Sequence, residues 1–308
     1  MSMKRKTLKK RWETFSSAKV APYVFVLPFL LTFVIFFIYP IISSVMTSFQ
    51  NVQLGASKWV GLANYKRLAA SSEFPTAIRN SLLYTVITIA LMIPFPLLFA
   101  VMLNSKSMRG GTFFRAVLFM PILCSVVVAG MTFRFMFNET DSALVNEFFM
   151  KVFGTRRIMW KSRQWPAMAM MVSLCCWRWT GMNIVYFMSG LRSVPVELYE
   201  AADIDGASAA QRFWNVTVPS VKPTTIYVLT ISIYGGLSMY TESRMLWDAK
   251  SSPMNVGLTI VGFVYQKGIS QADYGFASCA GLCLLLVTLV VNFIQLRGTG
   301  AIGKGGAK

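Results

Sequence analysis

The sequence contains no histidine and few acidic residues. Its 308 residues include 12 Asp and Glu against 30 Lys and Arg, which gives a formal net charge of +18. Without histidine, catalytic triads of the Ser-His-Asp type and imidazole metal sites are excluded. Charged residues make up only 14% of the chain, whereas a soluble domain carries roughly a quarter. The deficit indicates that much of the surface does not face water.

Cysteine is also scarce, and all five residues lie inside apolar stretches, where cysteine acts as a small hydrophobe. They are Cys124, Cys175, Cys176, Cys279 and Cys283. The odd number argues against a disulfide framework. The phosphate-binding pattern G-x-x-x-x-G-K-[ST] does not occur in the sequence either. Any ATP used by this protein must therefore be bound by another chain.

Long apolar runs dominate what is present. A membrane-spanning helix needs about 20 largely apolar residues, and six segments qualify: 21–46, 81–103, 114–135, 166–191, 224–240 and 276–296. We therefore predict an all-α, polytopic membrane protein with six transmembrane helices over residues 21–297. None of the six segments contains Asp or Glu. Ion-coupled carriers often use intramembrane carboxylates, so this class is disfavoured.

Basic residues crowd the ends of the apolar segments instead of forming one basic face. The densest run lies in residues 1–20, and the short loop 104–113 is also basic. Short basic flanks stay in the cytoplasm. We therefore predict cytoplasmic N and C termini, with a cytoplasmic tail at 298–308. The positive charge is explained by membrane topology and membrane lipid, and no nucleic-acid partner is expected.

One long segment, 192–222, separates the fourth and fifth predicted spans and has helix signals of its own. Pro195 suits a first helical turn, and the carboxylates of Glu197 and Glu200 complement the positive end of a helix. Ala201 and Ala202 are strong helix formers. A first cytoplasmic helix is therefore predicted here.

A turn and a second helix are predicted directly after it. Gly206 follows Asp205 and marks a break, because glycine accepts backbone angles that other residues resist. The second helix is predicted over residues 207–214, with Pro219 ending it. The segment would present small residues beside a carboxylate, a surface that another protein can approach closely.

At this segment the sequence resembles the permeases of ATP-binding-cassette (ABC) importers. The motif runs Glu200-Ala201-Ala202, then Asp205-Gly206-Ala207, then Val216-Thr217-Val218-Pro219. The resemblance extends over residues 60–297. Within the family, the sequence is similar to the first permease subunit of maltose- and glycerol-phosphate-type importers. It implies the type I ABC importer permease fold and uptake of a carbohydrate, with an oligosaccharide as the expected substrate.

The resemblance also implies partners and a location. These are a second homologous permease, two copies of an ABC ATPase that binds ATP and Mg, an extracytoplasmic solute-binding protein and a carbohydrate substrate, in the bacterial cytoplasmic membrane. This chain would be a transport subunit with no cofactor and no enzymatic activity of its own. The residues that the resemblance assigns to ATPase coupling are Glu200, Ala201, Ala202, Asp205, Gly206, Ala207 and Pro219.

Aromatic and polar side chains on two predicted spans are candidates for the substrate pathway. Sugar pockets combine apolar ring faces with a few directed hydrogen-bonding groups. The candidates are Trp177, Arg178, Trp179, Asn183 and Tyr186 on the fourth span and Tyr227, Tyr234 and Ser238 on the fifth. Arg178 is singled out because a charge at that depth should face a cavity or a partner. The alternative is that these side chains pack between helices.

Three other functions stay open from the residues alone. A secondary carrier would transport without an ATPase. A membrane-embedded enzyme has few candidates for acid–base chemistry in this chain. An ABC permease could also carry a polyol or a phosphodiester in place of a sugar.

Overall fold

The computed structural model of the chain describes residues 20–53, 56–105, 108–248 and 251–301. Almost all of the predicted basic segment 1–20, and residues 302–308 of the predicted tail, lie outside the described part. The described chain is helical, with one short antiparallel hairpin of β1 Gln50–Gln53 and β2 Ala56–Trp59, in which Gln50 pairs with Trp59.

The α-helices of the described residues are numbered in chain order. They are α1 Ala21–Phe33, α2 Tyr39–Ser48, α3 Ala63–Ala69, α4 Glu73–Met92, α5 Pro94–Asn104, α6 Gly111–Leu123, α7 Val126–Met136, α8 Leu144–Phe153, α9 Gln164–Arg192, α10 Val196–Ile204, α11 Ala209–Arg212, α12 Val218–Ser220, α13 Lys222–Leu237, α14 Thr241–Leu246, α15 Ile260–Tyr265 and α16 Tyr274–Gly298. Tighter or wider helical turns join some of them: Val34–Ile38, Phe213–Thr217, Pro253–Asn255 and Gln266–Ser270.

The first predicted span is one continuous helix over Ala21–Ser48. Its π-helical turn Val34–Ile38 lies just before Pro40. Proline has no N–H to donate to the carbonyl four residues earlier, and a π-turn accommodates that missing bond. None of the most apolar stretch of this helix is buried against the rest of the chain. This surface is therefore available to lipid or to another subunit.

The second span is longer than predicted and is interrupted once. It runs over Glu73–Asn104, and the interruption lies at Ile93, between α4 and α5. Pro94 and Pro96 follow directly, so two backbone donors are missing from this turn. The carbonyl of Met92, which would accept from residue 96, loses its helical partner.

The third predicted span, 114–135, is not one continuous helix. The structure has two helices there, α6 and α7, bent by 96° at a short break. Cys124 and Ser125 both adopt extended backbone angles, with ψ near 136° and 135°. Pro121 also lacks the N–H that a continuing helix would use. The segment is largely apolar, its charged residues being Arg115 and Arg134, and Pro121 is the sequence feature closest to the bend.

The remaining predicted spans correspond to α9, α13 and α16, which are 29, 16 and 25 residues long. Among described residues, Ala21–Ser48, Glu73–Asn104 and Tyr274–Gly298 are long and apolar enough to cross a membrane, and the bent α6–α7 pair is a further candidate. The count of six spans remains a prediction. Helix α13 ends at Leu237, earlier than predicted, and is only about 24 Å long.

Buried apolar side chains form three clusters. One surrounds Trp160 and Met171 near the start of α9, and a second surrounds Phe187 and Val228 near the end of α9. The third joins α3, α4, α15 and α16 around Phe263. In a membrane the lipid is as apolar as these side chains, so close packing must hold the helices together. The clusters fix α9 and α13 as the walls of the site described next.

Candidate functional site

A cleft with a volume of about 410 Å³ lies between α4, α9, α13 and α14. Its lining combines aromatic rings with hydroxyl, amide and carboxylate groups. Five residues predicted for the substrate pathway meet here: Trp179, Asn183, Tyr186, Tyr234 and Ser238. The two stripes that the sequence placed on separate helices therefore face one common space.

The amide of Asn183 joins the cleft to the break in the second span. Its Nδ2 donates to the carbonyl oxygen of Met92 at 3.2 Å. This is the carbonyl left without a helical partner by Pro96. Asn183 is almost fully buried, so its hydrogen bond satisfies a group that would otherwise be costly to bury. Its role is at least partly structural.

Arg178 does not line the cleft but forms an ion pair with a residue that does. Its Nη1 lies 3.4 Å from Oε1 of Glu242, and both side chains are largely buried, at 15% and 18% exposure. The guanidinium carbon also lies 5.4 Å from the centre of the Trp179 ring. Arg178 sits 14 residues from either end of α9, or about 21 Å at the helical rise. The pair therefore lies deep in the protein.

The other candidates divide between the cleft wall and ordinary packing. Tyr234 is 63% exposed and Trp179 is 40% exposed, so both offer open ring faces. Tyr227 lies outside the cleft lining and contacts Tyr186 edge-on, with ring centres 5.3 Å apart. Trp177 packs against the Phe133 ring at 5.5 Å. Its predicted place in the pathway is not supported by its position.

Glu242, Tyr84 and Thr88 line the cleft but were missed by the sequence analysis. Glu242 lies outside the predicted spans, between the fifth and the sixth. Because α13 stops at Leu237, the chain turns there and α14 folds back against α9. One sequence feature could have identified Glu242 as a candidate. It is an isolated acid directly after an apolar segment that contains Gly235 and Gly236.

The predicted cytoplasmic segment forms a helix, a turn and a second helix. Gly206 has φ +70°. The N–H of Gly206 donates to Asp203 and that of Ala207 donates to Ala202, at 3.1 and 2.9 Å. This pair of bonds is the Schellman motif, which requires a left-handed residue and favours glycine there. Gly206 thus ends α10 as the sequence predicted.

The second helix begins with a capping box, in which Ser208 and Gln211 exchange hydrogen bonds between side chain and backbone. Arg212 forms an ion pair with Asp203 across the turn. The prediction that Pro219 ends this helix is wrong. The chain continues through a π-helical turn, and Pro219 lies in the first turn of α12, where its missing N–H is tolerated.

The outer surface of this segment is open and partly apolar. Glu200, Ala201, Asp205 and Gly206 are exposed, and Glu200 forms no ion pair within the described residues. Large apolar side chains are exposed beside them, including Ile204 at 86%. A Cβ added to Gly206 would meet no atom within 4 Å. The segment is therefore built by its own hydrogen bonds and leaves its outward face free.

A comparison with protein families matches residues 67–297 to the binding-protein-dependent transport system inner membrane component. That match covers most of the chain, including the cleft and the segment 192–222. It contains the helix–turn–helix motif on which the resemblance to importer permeases rests.

Two curated relatives are arabinooligosaccharides transport system permease proteins AraP. The protein of Halalkalibacterium halodurans is 46% identical over 94% of this chain and 91% of its own length. That of Bacillus subtilis is also 46% identical, over 95% of this chain and 93% of its own length. A lactose transport system permease protein of Rhizobium radiobacter is 27% identical over 89% of this chain and 92% of its own.

Among solved structures, the chain is similar to a bacterial ABC transporter involved in the import of the acidic polysaccharide alginate. The TM-score is 0.81 with 22% identity, over 96% of this chain and all of the matched chain. At this identity the likeness concerns the fold. The fold predicted from the sequence, an importer permease, is therefore confirmed.

Proposed function

Because the chain belongs to the family of binding-protein-dependent transport system inner membrane components, we propose that it is a transmembrane subunit of an ATP-driven importer that carries an oligosaccharide into the cytoplasm. The cleft between α4, α9, α13 and α14 is the proposed substrate pathway. The observation that carries this proposal is the convergence of Trp179, Tyr234 and Glu242 on one cleft. Ring faces beside hydrogen-bonding groups suit a sugar.

The charge of the cleft favours a neutral sugar over a phosphodiester. The positive charge of Arg178 is already paired with Glu242, whose carboxylate lines the cleft. A phosphate entering here would meet an acceptor and no free cation in the described lining. Sugar hydroxyls can donate to a carboxylate, and hydrogen bonds to charged groups are the stronger ones. The two relatives at 46% identity are named for arabinooligosaccharides, so we propose this class of substrate.

Transport assays on ring variants test the pathway. The complete transporter, reconstituted in vesicles with its binding protein and ATP, should lose most of its uptake of an arabinooligosaccharide when Trp179→Ala or Tyr234→Ala is introduced. Trp177→Ala is the matched control, because this neighbouring ring packs on Phe133 outside the cleft. Equal losses in Trp177→Ala and Trp179→Ala would show that packing, not the cleft, governs transport.

The exposed face of α10 and its turn are the proposed contact with a separate ATPase, which binds ATP and Mg. Closure of the ATPase on ATP would move this segment and, through α9 and α13, open the cleft to one side of the membrane and then the other. The coupling residues proposed are Glu200, Ala201, Ala202, Asp205, Gly206, Ala207 and Pro219. Among the described residues no side chain forms an ion pair with Glu200, which supports an external partner.

Purification in mild detergent tests this contact. The chain should retain an ATPase and a second permease, and Glu200→Lys should release the ATPase. Asp141→Lys is the control, because this acid is also exposed, forms only a long 3.8 Å pair with Arg157, and lies at the opposite end of the helices. A chain that purifies alone and transports alone would support a secondary carrier instead.

The remaining assignments follow from the same proposal. The full assembly has a second homologous permease, two copies of the ATPase and an extracytoplasmic solute-binding protein. The segment 192–222 and both termini lie in the cytoplasm. The end of the helices that carries β1, β2, α8 and α14 then faces outward and receives the binding protein.

A further inference from the structure

Two neighbouring cavities at the outer end of the molecule differ sharply in character and share a wall. The first is polar, with a volume of about 130 Å³, and lies between α14, the loop 251–259 and α15. The second is a largely apolar groove of about 620 Å³ between α2, α15 and α16. Tyr240 and Tyr265 line both. A ligand with a polar end and an apolar body would fit the pair.

The shared wall is a stack of two rings and one cation. The rings of Tyr240 and Tyr265 are stacked with centres 5.0 Å apart. The guanidinium carbon of Arg244 lies 4.4 Å from the Tyr265 ring centre, and its Nη1 donates to the Tyr240 hydroxyl at 2.9 Å. Tyrosine is favoured at membrane–water boundaries because its ring is apolar and its hydroxyl is polar.

Arg244 lines the polar cavity without an acidic partner. Within the described residues no carboxylate forms an ion pair with it, whereas Arg67, Arg134, Arg178 and Lys267 each have one. The other polar side chains there include Asn255 and Gln266, which form no hydrogen bond within the described chain. The cavity therefore offers an unpaired positive charge and free donors, which together suit an anionic group.

The loop that closes the polar cavity is held in place by a buried side chain. Asn80 is 1% exposed, and its Nδ2 donates to the carbonyls of Asn255 and Leu258 at 2.9 and 3.0 Å. Asn255 itself has φ +57°, a left-handed conformation that asparagine tolerates better than most residues other than glycine. The loop on this side of the polar cavity is thus held by hydrogen bonds within the chain.

The groove lies on helices that are themselves long and apolar. It is lined by Ile41 of α2 and by Gly281, Leu282 and Leu285 of α16. Both Ala21–Ser48 and Tyr274–Gly298 meet the length and apolarity of a membrane span. The groove therefore adjoins the polar cavity through Tyr240 and Tyr265, on helices that are apolar enough to meet acyl chains.

We propose that these two cavities form a binding site for one anionic phospholipid, with its phosphate beside Arg244 and its acyl chains in the groove. The site is separate from the transport cleft, because Glu242 faces the cleft while Arg244 lies half a turn away on α14. Its placement in the outer leaflet rests on the orientation proposed above. Its existence does not, since the cavities and Arg244 belong to this chain whichever way it is oriented.

Native mass spectrometry of the full chain, purified with the subunits it retains, tests the site directly. The probes are phosphatidylglycerol and phosphatidylcholine with the same acyl chains. We expect one tightly bound phosphatidylglycerol per chain and at least about five-fold weaker binding in Arg244→Gln. Arg156→Gln is the control, because Arg156 is exposed at the same end of the helices and lacks an ion pair in the described residues. Equal weakening by both variants would overturn the proposal.

A second pair of variants tests the groove. Gly281 lines it, and a Cβ added there meets no atom within 4 Å, so Gly281→Leu should fit the fold while filling the space for an acyl chain. Gly298→Leu is the control, since Gly298 is equally open but lies at the other end of α16. We expect weaker phosphatidylglycerol binding only in Gly281→Leu.

Two further outcomes would overturn the site. If glycerol phosphate displaces the lipid at comparable concentrations, the ligand is a soluble phosphate and the groove has no part in binding. If Gly281→Leu releases the second permease, the groove is a subunit interface. Both measurements come from the same spectra, and neither depends on transport. A failure here can therefore be told apart from a failure of the proposed function.

Discussion

The side-chain amide of Asn183 supplies a hydrogen bond that is missing at the break in the second predicted span. Met92 loses its helical partner because Pro96 has no N–H, and Asn183 from α9 supplies the missing donor at 3.2 Å. The same side chain lines the cleft. Asn183 therefore has both a structural role and a place in the proposed substrate pathway. The effect of a substitution at Asn183 on protein stability must be measured before any effect on transport is interpreted.

Replacing Asn183 by leucine should lower stability more than it changes the shape of the cleft. The Met92 carbonyl would be buried without a donor, which costs about 1–3 kcal/mol. The unfolding midpoint of the purified protein in detergent would measure this loss. Ser173→Ala is the control, because that exposed hydroxyl bonds only the carbonyl of Ala169 in its own helix. Equal midpoints for the two variants would contradict the role given to Asn183.

At the scale of elements, small residues set how closely the helices approach. A Cβ added to Gly181 would lie 2.0 Å from the carbonyl oxygen of Leu118, and one added to Gly236 would lie 2.6 Å from the Thr85 hydroxyl. Real side chains cannot occupy such positions. These two glycines therefore bring α9 against α6 and α13 against α4.

We expect Gly181→Ala to disrupt packing strongly, because the atom it would strike is backbone and cannot rotate away. We expect the free energy of unfolding to fall by several kcal/mol, as it does when extra atoms are forced into a well-packed core. Gly281→Ala should not destabilise the protein, since nothing lies within 4 Å of its added Cβ and alanine is favoured over glycine inside a helix. Both can be compared by the temperature at which the purified protein unfolds. A tolerated Gly181→Ala would mean that α6 and α9 are farther apart than described.

The turn between α10 and α11 allows a finer test of coupling. Gly206 is left-handed, which costs a residue with a Cβ about 1–2 kcal/mol, although no atom crowds it. Gly206→Ala should therefore reduce ATP hydrolysis stimulated by the binding protein and substrate. Gly206→Asn should reduce it less, because asparagine tolerates this conformation better. A larger loss in Gly206→Asn than in Gly206→Ala would rule out backbone conformation as the cause.

At the scale of the whole molecule, the first helix has too few partners within its own chain. None of the most apolar stretch of Ala21–Ser48 is buried, and Phe25 is 83% exposed. Water cannot be the environment of such a surface. The helix therefore needs lipid, a second subunit, or both, and its stability belongs to the assembly.

Co-expression with the second permease should raise the unfolding midpoint of this chain, because a partner that binds only the folded state stabilises it by mass action. The comparison is between the chain purified alone and the chain purified in the complex, in the same detergent. An identical midpoint in both would indicate that lipid or detergent alone covers the exposed apolar surface.

The sequence by itself determined what depends on local pattern and composition. Apolar runs without acids predicted a helical membrane protein, and the spacing of Glu200, Ala201, Ala202 and Gly206 predicted a helix, a tight turn and a family. These features follow from contacts between residues near in sequence. The left-handed Gly206 is the clearest example, because only its immediate neighbours form the turn.

Tertiary structure alone decided which distant groups meet. The 96° bend between α6 and α7, the early end of α13 and the return of Glu242 to Arg178 all depend on packing between segments far apart in sequence. These features cannot be predicted from the apolar pattern, because a straight and a bent apolar helix have the same pattern in the sequence. The cleft and the two cavities beside Arg244 are formed by that packing. The sequence could therefore predict candidate residues for the substrate pathway, but only the tertiary structure showed which of them lie together.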